Sequence, residues 1–574
     1  MSRELELQRQ QFPKSVYQDE RIIVAPYQKW LVGNVRVPLL ALMGAVGLVL
    51  LIACLNVANL LLARGIARQR EVALRLALGA SRSRVIRQLL TEAVPLALLG
   101  AGLGLVIANW GTMYLRGNAP EDIPLLSQVL MDSRVFCFSL ALAVLTAIVS
   151  GLIPALHVAR PKLHETLKEG SRVQTDGRMR QRTRSILVVA EIGLSTLLMS
   201  GAALLIVSLS NLMSVNPGFD VRNLWVMRVN LPTEKYQTSA QVSGLEQQVQ
   251  EQLRTLPGVK AVASASAAPV ADQFNLMADV HGESIGATQY RAVSPEYFKA
   301  LGIRLLRGRA LLSTDTAGSP GVAVINAAFA KRFWSDRSPI GDVLTIMKGI
   351  PKFGEPPRQV VGVAADTMVW LGVPVPSVPM IYVPESQVPS GLTGQWLRSP
   401  VWVIRTSIPL NLREVELKVR EVDPTQPVWS LQPATALIHD SAKYQQFMTM
   451  LLSGFAVLAL LLALIGLYGV ISYSMVQRTH EIGIRMALGA TRSQVLKIVI
   501  GQGARLAAIG VVIGLAGAFA VARFLSNLLY GVQPNDPLTY IAVSMVLALV
   551  AMLASYLPAR RAMRVDPMVA LRYE

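Results

Sequence analysis

Residues 71–85 read EVALRLALGASRSRV, and residues 481–495 read EIGIRMALGATRSQV. The two stretches share an acidic first residue, an arginine four positions later, the run Leu-Gly-Ala and a hydroxyl residue followed by Arg-Ser. Each stretch follows one long apolar run and precedes another. A repeat of this kind indicates that the chain contains two copies of one structural unit.

Each copy predicts a helix, a sharp bend and a second helix. The acid and the base lie one helical turn apart, so they can pair on one helix face. The glycine tolerates the left-handed conformation that ends a helix, and the Ser or Thr two residues later is a type that caps the next helix. The candidate site residues are Glu71, Arg75, Leu78, Gly79, Ala80, Ser81 and Arg82 in the first copy, and Glu481, Arg485, Leu488, Gly489, Ala490, Thr491 and Arg492 in the second.

A bent amphipathic element at a membrane surface is suited to receiving force or docking a partner. One copy alone would be explained equally well by arginines that anchor a cytoplasmic loop. Two copies that also keep the uncharged positions favour a specific role, because anchoring requires only charge.

The composition indicates an integral membrane protein with an extramembrane part. Hydrophobic residues make up 52% of the 574 residues, and only 16% are charged. The net charge of +19 does not indicate nucleic acid, because the excess lies beside apolar runs: seven arginines fall within residues 64–87, whereas residues 214–446 hold 22 basic and 19 acidic residues. The two cysteines, Cys54 and Cys137, both lie in apolar segments, so disulfides do not hold the extramembrane part together.

Seven apolar runs are long enough to span a bilayer: residues 37–63, 89–115, 135–157, 185–213, 446–476, 498–530 and 538–557. Their basic flanks place both bends and the C-terminus on the cytoplasmic side. We therefore predict a first repeat at 37–170, a basic cytoplasmic linker at 171–184, an additional span at 185–213, an outside domain at 214–445 and a second repeat at 446–574.

The outside domain is predicted to be a compact α/β or α+β domain in two lobes. Strands are expected at residues 224–231, 259–263, 322–325, 359–364 and 401–404, with helices around 242–256 and at 412–422. Residues 3–25 echo its last helix and strand. Residues 1–36 are therefore interpreted as the remnant of a first outside domain.

The sequence offers no catalytic or metal motif of weight. No G-x-x-x-x-G-K-[ST] loop occurs, so ATP cannot bind through that device. One G-x-S-x-G match surrounds Ser284, but neither a buried apolar strand before it nor a helix after it is expected, so a turn is the better interpretation. No histidines are spaced as metal ligands, and no cofactor is predicted.

Three ionisable residues lie within or near the ends of spans: Glu191, Glu92 and Arg505. An ionisable residue inside a membrane is a functional hypothesis by default. The nearness of these three to an interface favours snorkelling or pairing with the flanking arginines over a transport role.

The repeated E-[IV]-[GA]-[IL]-R-x-A-L-G-A-[ST]-R-S resembles the permease family of MacB/FtsX-type ABC transporters. The outside domain adds V-S-P-E-Y-F at 293–298, L-G-I at 301–303, F-W at 333–334 and P-I-G at 339–341, which are similar to the periplasmic core domain of that family. The arrangement resembles its duplicated permeases, in which each half has four spans and one periplasmic domain. Against that pattern, the chain lacks the first span and nearly all of the first domain, as expected of an N-terminal truncation.

The resemblance implies a multi-pass protein of the bacterial inner membrane that is not itself an enzyme. A separate ATP-binding subunit, acting as a dimer, would dock on the two bends, and the spans would transmit its motion to the periplasmic domain for efflux or substrate release. A periplasmic adaptor is a further expected partner. Arg75, Arg82, Arg485 and Arg492 would be the main contacts with the ATPase.

Two alternatives remain open at this point. The first is an FtsX-like regulatory complex that controls a cell-envelope hydrolase and exports nothing. The second is a membrane-tethered periplasmic serine hydrolase that uses Ser284.

Overall fold

The structure is a computed structural model. It describes residues 27–67, 75, 78, 81–118, 132–158, 173–232, 234–270, 274–335, 337–350, 353–369, 377–396, 398–477, 491–525 and 529–562. The chain divides into two compact units: an extramembrane domain at residues 212–443, and a membrane unit made of residues 26–211 and 444–574. The predicted remnant at residues 1–36 lies, up to residue 26, outside the described residues.

Seven described helices are long and apolar enough to cross a membrane. They are α1 (Tyr27–Ala67), α2 (Arg82–Asn118), α3 (Ser133–Val158), α4 (Val173–Ser214), α10 (Ala434–Gln477), α11 (Arg492–Leu525) and α12 (Pro537–Ala562). The seven predicted spans are confirmed, because each predicted apolar run falls largely on one of these helices.

Two helices differ in length from the predicted spans, whose limits stay predictions. Helix α10 begins at Ala434, before residue 446, and its first turns carry polar residues that an apolar run does not include. Helix α11 ends at Leu525, before residue 530. The Tyr530 amide donates to Ser208 Oγ at 2.7 Å and the Gly531 carbonyl accepts from Asn211 Nδ2 at 2.9 Å, so this segment is tied to α4.

The additional span α4 is the central helix of the membrane unit. Of the 18 residues in its most apolar stretch, 56% are buried, against 33% or less in each of the other six helices. One buried cluster joins α4 to α1, α10 and α11, and another joins it to α10, α11 and α12. Helix α4 therefore contacts elements of both repeats, while α2 packs mainly on α3.

The first lobe of the extramembrane domain is a four-stranded antiparallel sheet in the order β11-β1-β10-β2. Its strands are β1 (Leu224–Val229), β2 (Val259–Ala265), β10 (Val401–Thr406) and β11 (Val428–Pro433), and its helices are α5 (Ser239–Arg254) and α9 (Leu412–Val422). The order strand, helix, strand, then again strand, helix, strand is the split βαβ arrangement. The amphipathic faces of both helices cover one side of the sheet.

The second lobe is inserted between β2 and β10. Its strands are β3 (Asn275–Val280), β4 (Glu283–Val293), β5 (Leu305–Gly308), β6 (Val322–Asn326), β7 (Val343–Ile346), β8 (Arg358–Ala364) and β9 (Met380–Pro384), and its helices are α6 (Tyr297–Leu301), α7 (Ala327–Phe333) and α8 (Ser390–Trp396). Strands β4, β3, β7, β8, β6 and β9 pair in this order, and β9 pairs with β4 to close the ring. Closure removes two sheet edges. The predicted two-lobed α+β domain is confirmed.

The two lobes share one thin ladder. Strand β2 pairs with β4 through the single residue pair Ala265–Val293. Two backbone bonds flank it, from Ser266 N to Ala292 O at 2.8 Å and from Ser294 N to Ser264 O at 3.0 Å. Most other ladders in the sheet pair three to six residues. Strand pairing between the two lobes is therefore limited to the short β2–β4 ladder.

Candidate coupling sites

The second bend leads into α11 through a capping box. The Gln494 amide donates to Thr491 Oγ1 at 3.4 Å, and the Thr491 amide donates to Gln494 Oε1 at 3.0 Å. These reciprocal bonds satisfy two amides that a helix start would otherwise leave without partners. The helix begins at Arg492, the residue after the hydroxyl residue, as the sequence predicts.

The first bend starts α2 at the equivalent position. The Ser81 carbonyl accepts from the amides of Arg84 at 3.1 Å and Val85 at 3.3 Å, and the Ser81 hydroxyl contacts that of Ser83 at 3.1 Å. Helix α2 begins at Arg82. The two copies therefore start their second helices at matching residues.

Two more residues of the first motif are described. Arg75, in helical conformation, donates from Nη1 to Gln88 Oε1 on α2 at 3.0 Å. This bond holds the segment before the bend against the second turn of α2. Leu78 lies in a turn with 86% of its surface exposed, so an apolar side chain projects from the bend. The position equivalent to Gln88 in the second copy is Ile498, which cannot form such a bond.

The other motif residues lie outside the described residues. They are Glu71, Gly79, Ala80, Glu481, Arg485, Leu488, Gly489 and Ala490, together with the side chains of Arg82 and Arg492. The predicted Glu71–Arg75 and Glu481–Arg485 pairs stay predictions.

A polar site that the sequence did not predict lies in the core of the membrane unit. Glu191 on α4 is 1% exposed, and its Oε1 accepts from Asn56 Nδ2 on α1 at 2.6 Å. The same Asn56 amide donates to the Leu462 carbonyl on α10 at 2.9 Å. One asparagine of the first repeat thus bonds α4 and the second repeat together.

The neighbouring residues are fitted to this site. A Cβ on Gly466 of α10 would come within 2.1 Å of Glu191 Oε2, so only glycine leaves room for the carboxyl. Arg184, about two turns before Glu191 on α4, is 4% exposed and lies 3.8 Å over the Tyr473 ring of α10. The interpretation of Glu191 as a snorkelling or arginine-paired residue is wrong, because its side chain points into the bundle and bonds Asn56.

The other two ionisable residues that the sequence singled out differ in their surroundings. Arg505 is exposed, as a snorkelling side chain would be. Glu92 accepts from Gln88 Nε2 at 3.5 Å, so it extends the chain of bonds that starts at Arg75. Asn56 is the residue from which this site could have been predicted, because an amide side chain within a membrane span needs a hydrogen-bond partner.

Ser284 lies in a β-hairpin. Strand β3, in which buried positions alternate with more exposed ones, precedes it, and the serine itself lies in β4, so no helix follows it directly. His281 and Gly282 form the turn with positive φ angles of 55° and 80°. The strand-to-helix turn that a nucleophile elbow requires is therefore not formed at this serine. Among the described residues, no group of three His, Cys, Asp or Glu side chains could hold a metal ion.

This fold defines a polytopic membrane protein with a separate extramembrane domain. The FtsX-like permease C-terminal domain matches residues 43–163 and again residues 453–567, and the MacB-like periplasmic core domain matches residues 187–424. The chain belongs to the MacB/FtsX-type ABC transporter permeases, and it is a multi-pass inner-membrane protein with a periplasmic core domain.

Individual relatives match only parts of the chain. The macrolide export ATP-binding/permease protein MacB of Hahella chejuensis is 30% identical over 49% of this chain and 42% of its own length, and that of Escherichia coli O157:H7 is 26% identical over 54% and 47%. The chain thus spans less than half the length of these relatives. The periplasmic region of MacB from Actinobacillus actinomycetemcomitans aligns over 39% of this chain and 95% of its own, with 14% identity and a TM-score of 0.28.

Proposed function

We propose that this chain is the permease subunit that couples ATP hydrolysis on a separate ATP-binding subunit to motion of the periplasmic core domain. The ATP-binding subunit docks as a dimer, one protomer on each bend, with the bends and the C-terminus in the cytoplasm. The motion drives efflux or release of a substrate outside the membrane, with a periplasmic adaptor as a further partner.

The observation that supports this proposal is the matched pair of helix starts that follow the two predicted bends. Each bend leads into a helix that begins at the same motif position, Arg82 or Arg492. Two equivalent sites suit a two-fold partner, because symmetric dimers are the commonest assemblies of soluble subunits. The exposed Leu78 gives the first site an apolar contact, and the arginines of both motifs supply charge.

The route from the bends to the core domain runs through α4. Helix α4 is bonded to α1 by Glu191 and to α10 by Ser195, whose hydroxyl donates to the Ala459 carbonyl at 3.3 Å. It leads directly into the core domain, and α10, which begins at Ala434, leaves that domain after Lys443. A displacement of either repeat therefore reaches the chain segments that enter and leave the domain.

Charge reversal at both bends tests the docking. Arg75→Glu combined with Arg485→Glu is expected to reduce co-purification of the ATP-binding subunit by roughly tenfold or more, because each change puts like charges into the interface. Arg413→Glu, an exposed arginine on α9 of the core domain, is the matched control and should leave co-purification unchanged. Undiminished association of the double variant would contradict docking at the bends.

A further inference from the structure

Two carboxyls from different lobes lie next to the β2–β4 ladder. Glu246 lies on α5 of the first lobe and is 4% exposed, and Glu385 lies in the turn that follows β9 of the second lobe. Both residues line one small cavity, and Glu385 Oε1 is buried without a group that donates to it. A hydrogen bond between the two carboxyls requires a proton, because two carboxylates only accept.

Polar side chains of β2 and α5 support the pair. Ser264 on β2 donates from its hydroxyl to Glu385 Oε2 at 2.8 Å, and Gln250 of α5 donates to the Ser264 hydroxyl at 2.6 Å. A second bond between the lobes lies nearby, where the hydroxyls of Ser239 on α5 and Ser390 on α8 are 3.3 Å apart. The carboxyl pair is thus part of the contact between lobes and not of either core.

Few charged groups influence the pKa values of these two carboxyls. Burial, and then the neighbouring Glu385, raise the pKa of Glu246, and burial raises the pKa of Glu385. On the neighbouring β4, Arg291 donates to Tyr297 Oη at 3.1 Å and to the Ala268 carbonyl at 3.4 Å. At the end of α5, Arg254 pairs with Glu296. Tyr297 and these arginines therefore have partners other than the two glutamates.

The space beside the pair is too small for a ligand larger than about one water molecule. A cavity of about 20 Å³ is lined by Ser239, Ser243, Glu246, Ser266, Glu385 and Thr393. This volume holds about one water molecule. A divalent cation would need roughly six oxygen ligands, and among the described residues no group of three His, Cys, Asp or Glu side chains could hold a metal ion. A proton is the positive charge that fits.

We propose that Glu246 and Glu385 form a proton-operated clasp that holds the two lobes of the periplasmic core domain together when they share a proton and releases them when both ionise. The clasp lies within the core domain and does not depend on docking at the cytoplasmic bends. It makes the closure of the lobes sensitive to the pH of the compartment outside the membrane.

The sign of the pH dependence follows from the two states. In the separated state both carboxyls meet water and titrate near the ordinary glutamate value of 4.5. In the closed state their pKa values are raised, so the closed state binds more protons above that pH. Closure is therefore fully favoured at low pH and weakens as the pH rises, by up to about tenfold per pH unit for each proton released.

Double electron–electron resonance, which measures the distance between two spin labels, tests the clasp on the full chain in lipid nanodiscs. Spin labels are placed at the exposed positions Leu417 on α9 and Leu306 on β5, one on each lobe, after Cys54 and Cys137 are replaced by serine. Between pH 5 and pH 9 the closed distance should give way to a longer one. Glu246→Gln with Glu385→Gln should stay closed throughout, because neutral amides keep the bond without a proton.

Matched variants separate the clasp from general pH effects. Glu251→Gln, on the exposed side of the same helix, should show the same dependence of the label distance on pH as the wild-type protein. In the single variant Glu385→Gln the amide can donate to the Glu246 carboxylate without a proton, so the response to pH should be largely lost. A distance that does not change with pH in the unchanged chain would overturn the proposal. So would an unaltered pH response in either glutamine variant.

Discussion

Glu355→Ala is expected to destabilise the second lobe by about 3–5 kcal/mol, because it leaves the buried Arg358 without its counter-charge. Arg358 is 0% exposed, and its Nε donates to Glu355 Oε2 at 2.5 Å. The same glutamate accepts from the Tyr290 hydroxyl at 2.7 Å. Domains of this size are stable by only about 5–15 kcal/mol, so the loss approaches unfolding.

Arg358 cannot easily find another arrangement. Its guanidinium also donates to the Val322 carbonyl and to both the side chain and the carbonyl of Gln387, at 2.8–3.1 Å. These bonds tie β6 and β8 to the segment after β9, so they fix the place of the charge. Without Glu355 the positive charge stays buried, which is the costly outcome.

Hydrogen exchange in the full chain measures this effect. Amides of β6 and β8 should exchange about a hundredfold to a thousandfold faster or more, since each 1.4 kcal/mol is a factor of ten. Glu421→Ala is the matched control: Glu421 and Lys418 also lie three residues apart and also touch, at 2.8 Å, but on the surface. That change should cost at most about 1 kcal/mol. Equal effects of the two changes would show that burial does not govern the Glu355 pair.

The spans and the first lobe were predictable because their signals are local. Helix α9 was predicted at residues 412–422 and has those limits, since its apolar positions recur at helical spacing and Asn411 caps its start. The seven spans follow from long apolar runs. Strands 224–231 and 401–404 were predicted within three residues of β1 and β10 for the same reason.

The ring of the second lobe was only partly predictable. Strands β3, β4, β5, β7 and β9 were not identified from the sequence. Strand β9 is buried at all five positions, so it shows no alternation, and it follows a proline-rich stretch that resembles a loop. Strand β4 contains Gly286, which lies at a positive φ of 77° beside a shift in register. These strands are stabilised by pairing with distant strands, and that information is not in any short window.

The contact between Glu191 and Asn56 in the membrane unit also depends on residues that are distant in the sequence. Glu191 could be singled out from the sequence as an acid in a span, but its partner lies 135 residues away on α1. The hypothesis of snorkelling failed because sequence cannot show that α4 is the central helix. The starts of α2 and α11, in contrast, were predicted correctly from the hydroxyl residues that precede them.

Gly514→Val is expected to destabilise the membrane unit by about 3 kcal/mol or more, at the upper end of overpacking effects, because α11 and α4 touch backbone to backbone there. A Cβ on Gly514 would come within 2.4 Å of Thr196 Cβ and 2.5 Å of the Gly193 carbonyl. One turn earlier on α11, a Cβ on Gly510 would meet Ile192 Cβ at 2.7 Å. Gly510 and Gly514 form the small-residue spacing that lets membrane helices approach closely.

The contact atoms at Gly514 cannot move aside cheaply. Thr196 is fully buried and its hydroxyl donates to the Ile192 carbonyl at 2.7 Å, so its rotamer is fixed. The Gly193 carbonyl belongs to the backbone of the central helix. Separation of the two helices is the remaining response, and it would also displace the span that enters the periplasmic core domain.

Gly501→Val is the control within the same helix, since a Cβ there meets no atom within 4 Å. It should be neutral or slightly stabilising, because valine is a better helix former than glycine. Thermal unfolding in detergent, followed by the loss of monodisperse protein, should show a large fall in melting temperature for Gly514→Val and none for Gly501→Val. Gly514→Ala should already show part of the fall, because the clash begins at Cβ. If alanine and valine at position 514 both leave the melting temperature unchanged, α4 and α11 do not meet at this point, and transmission of motion through α4 would need a different contact with the second repeat.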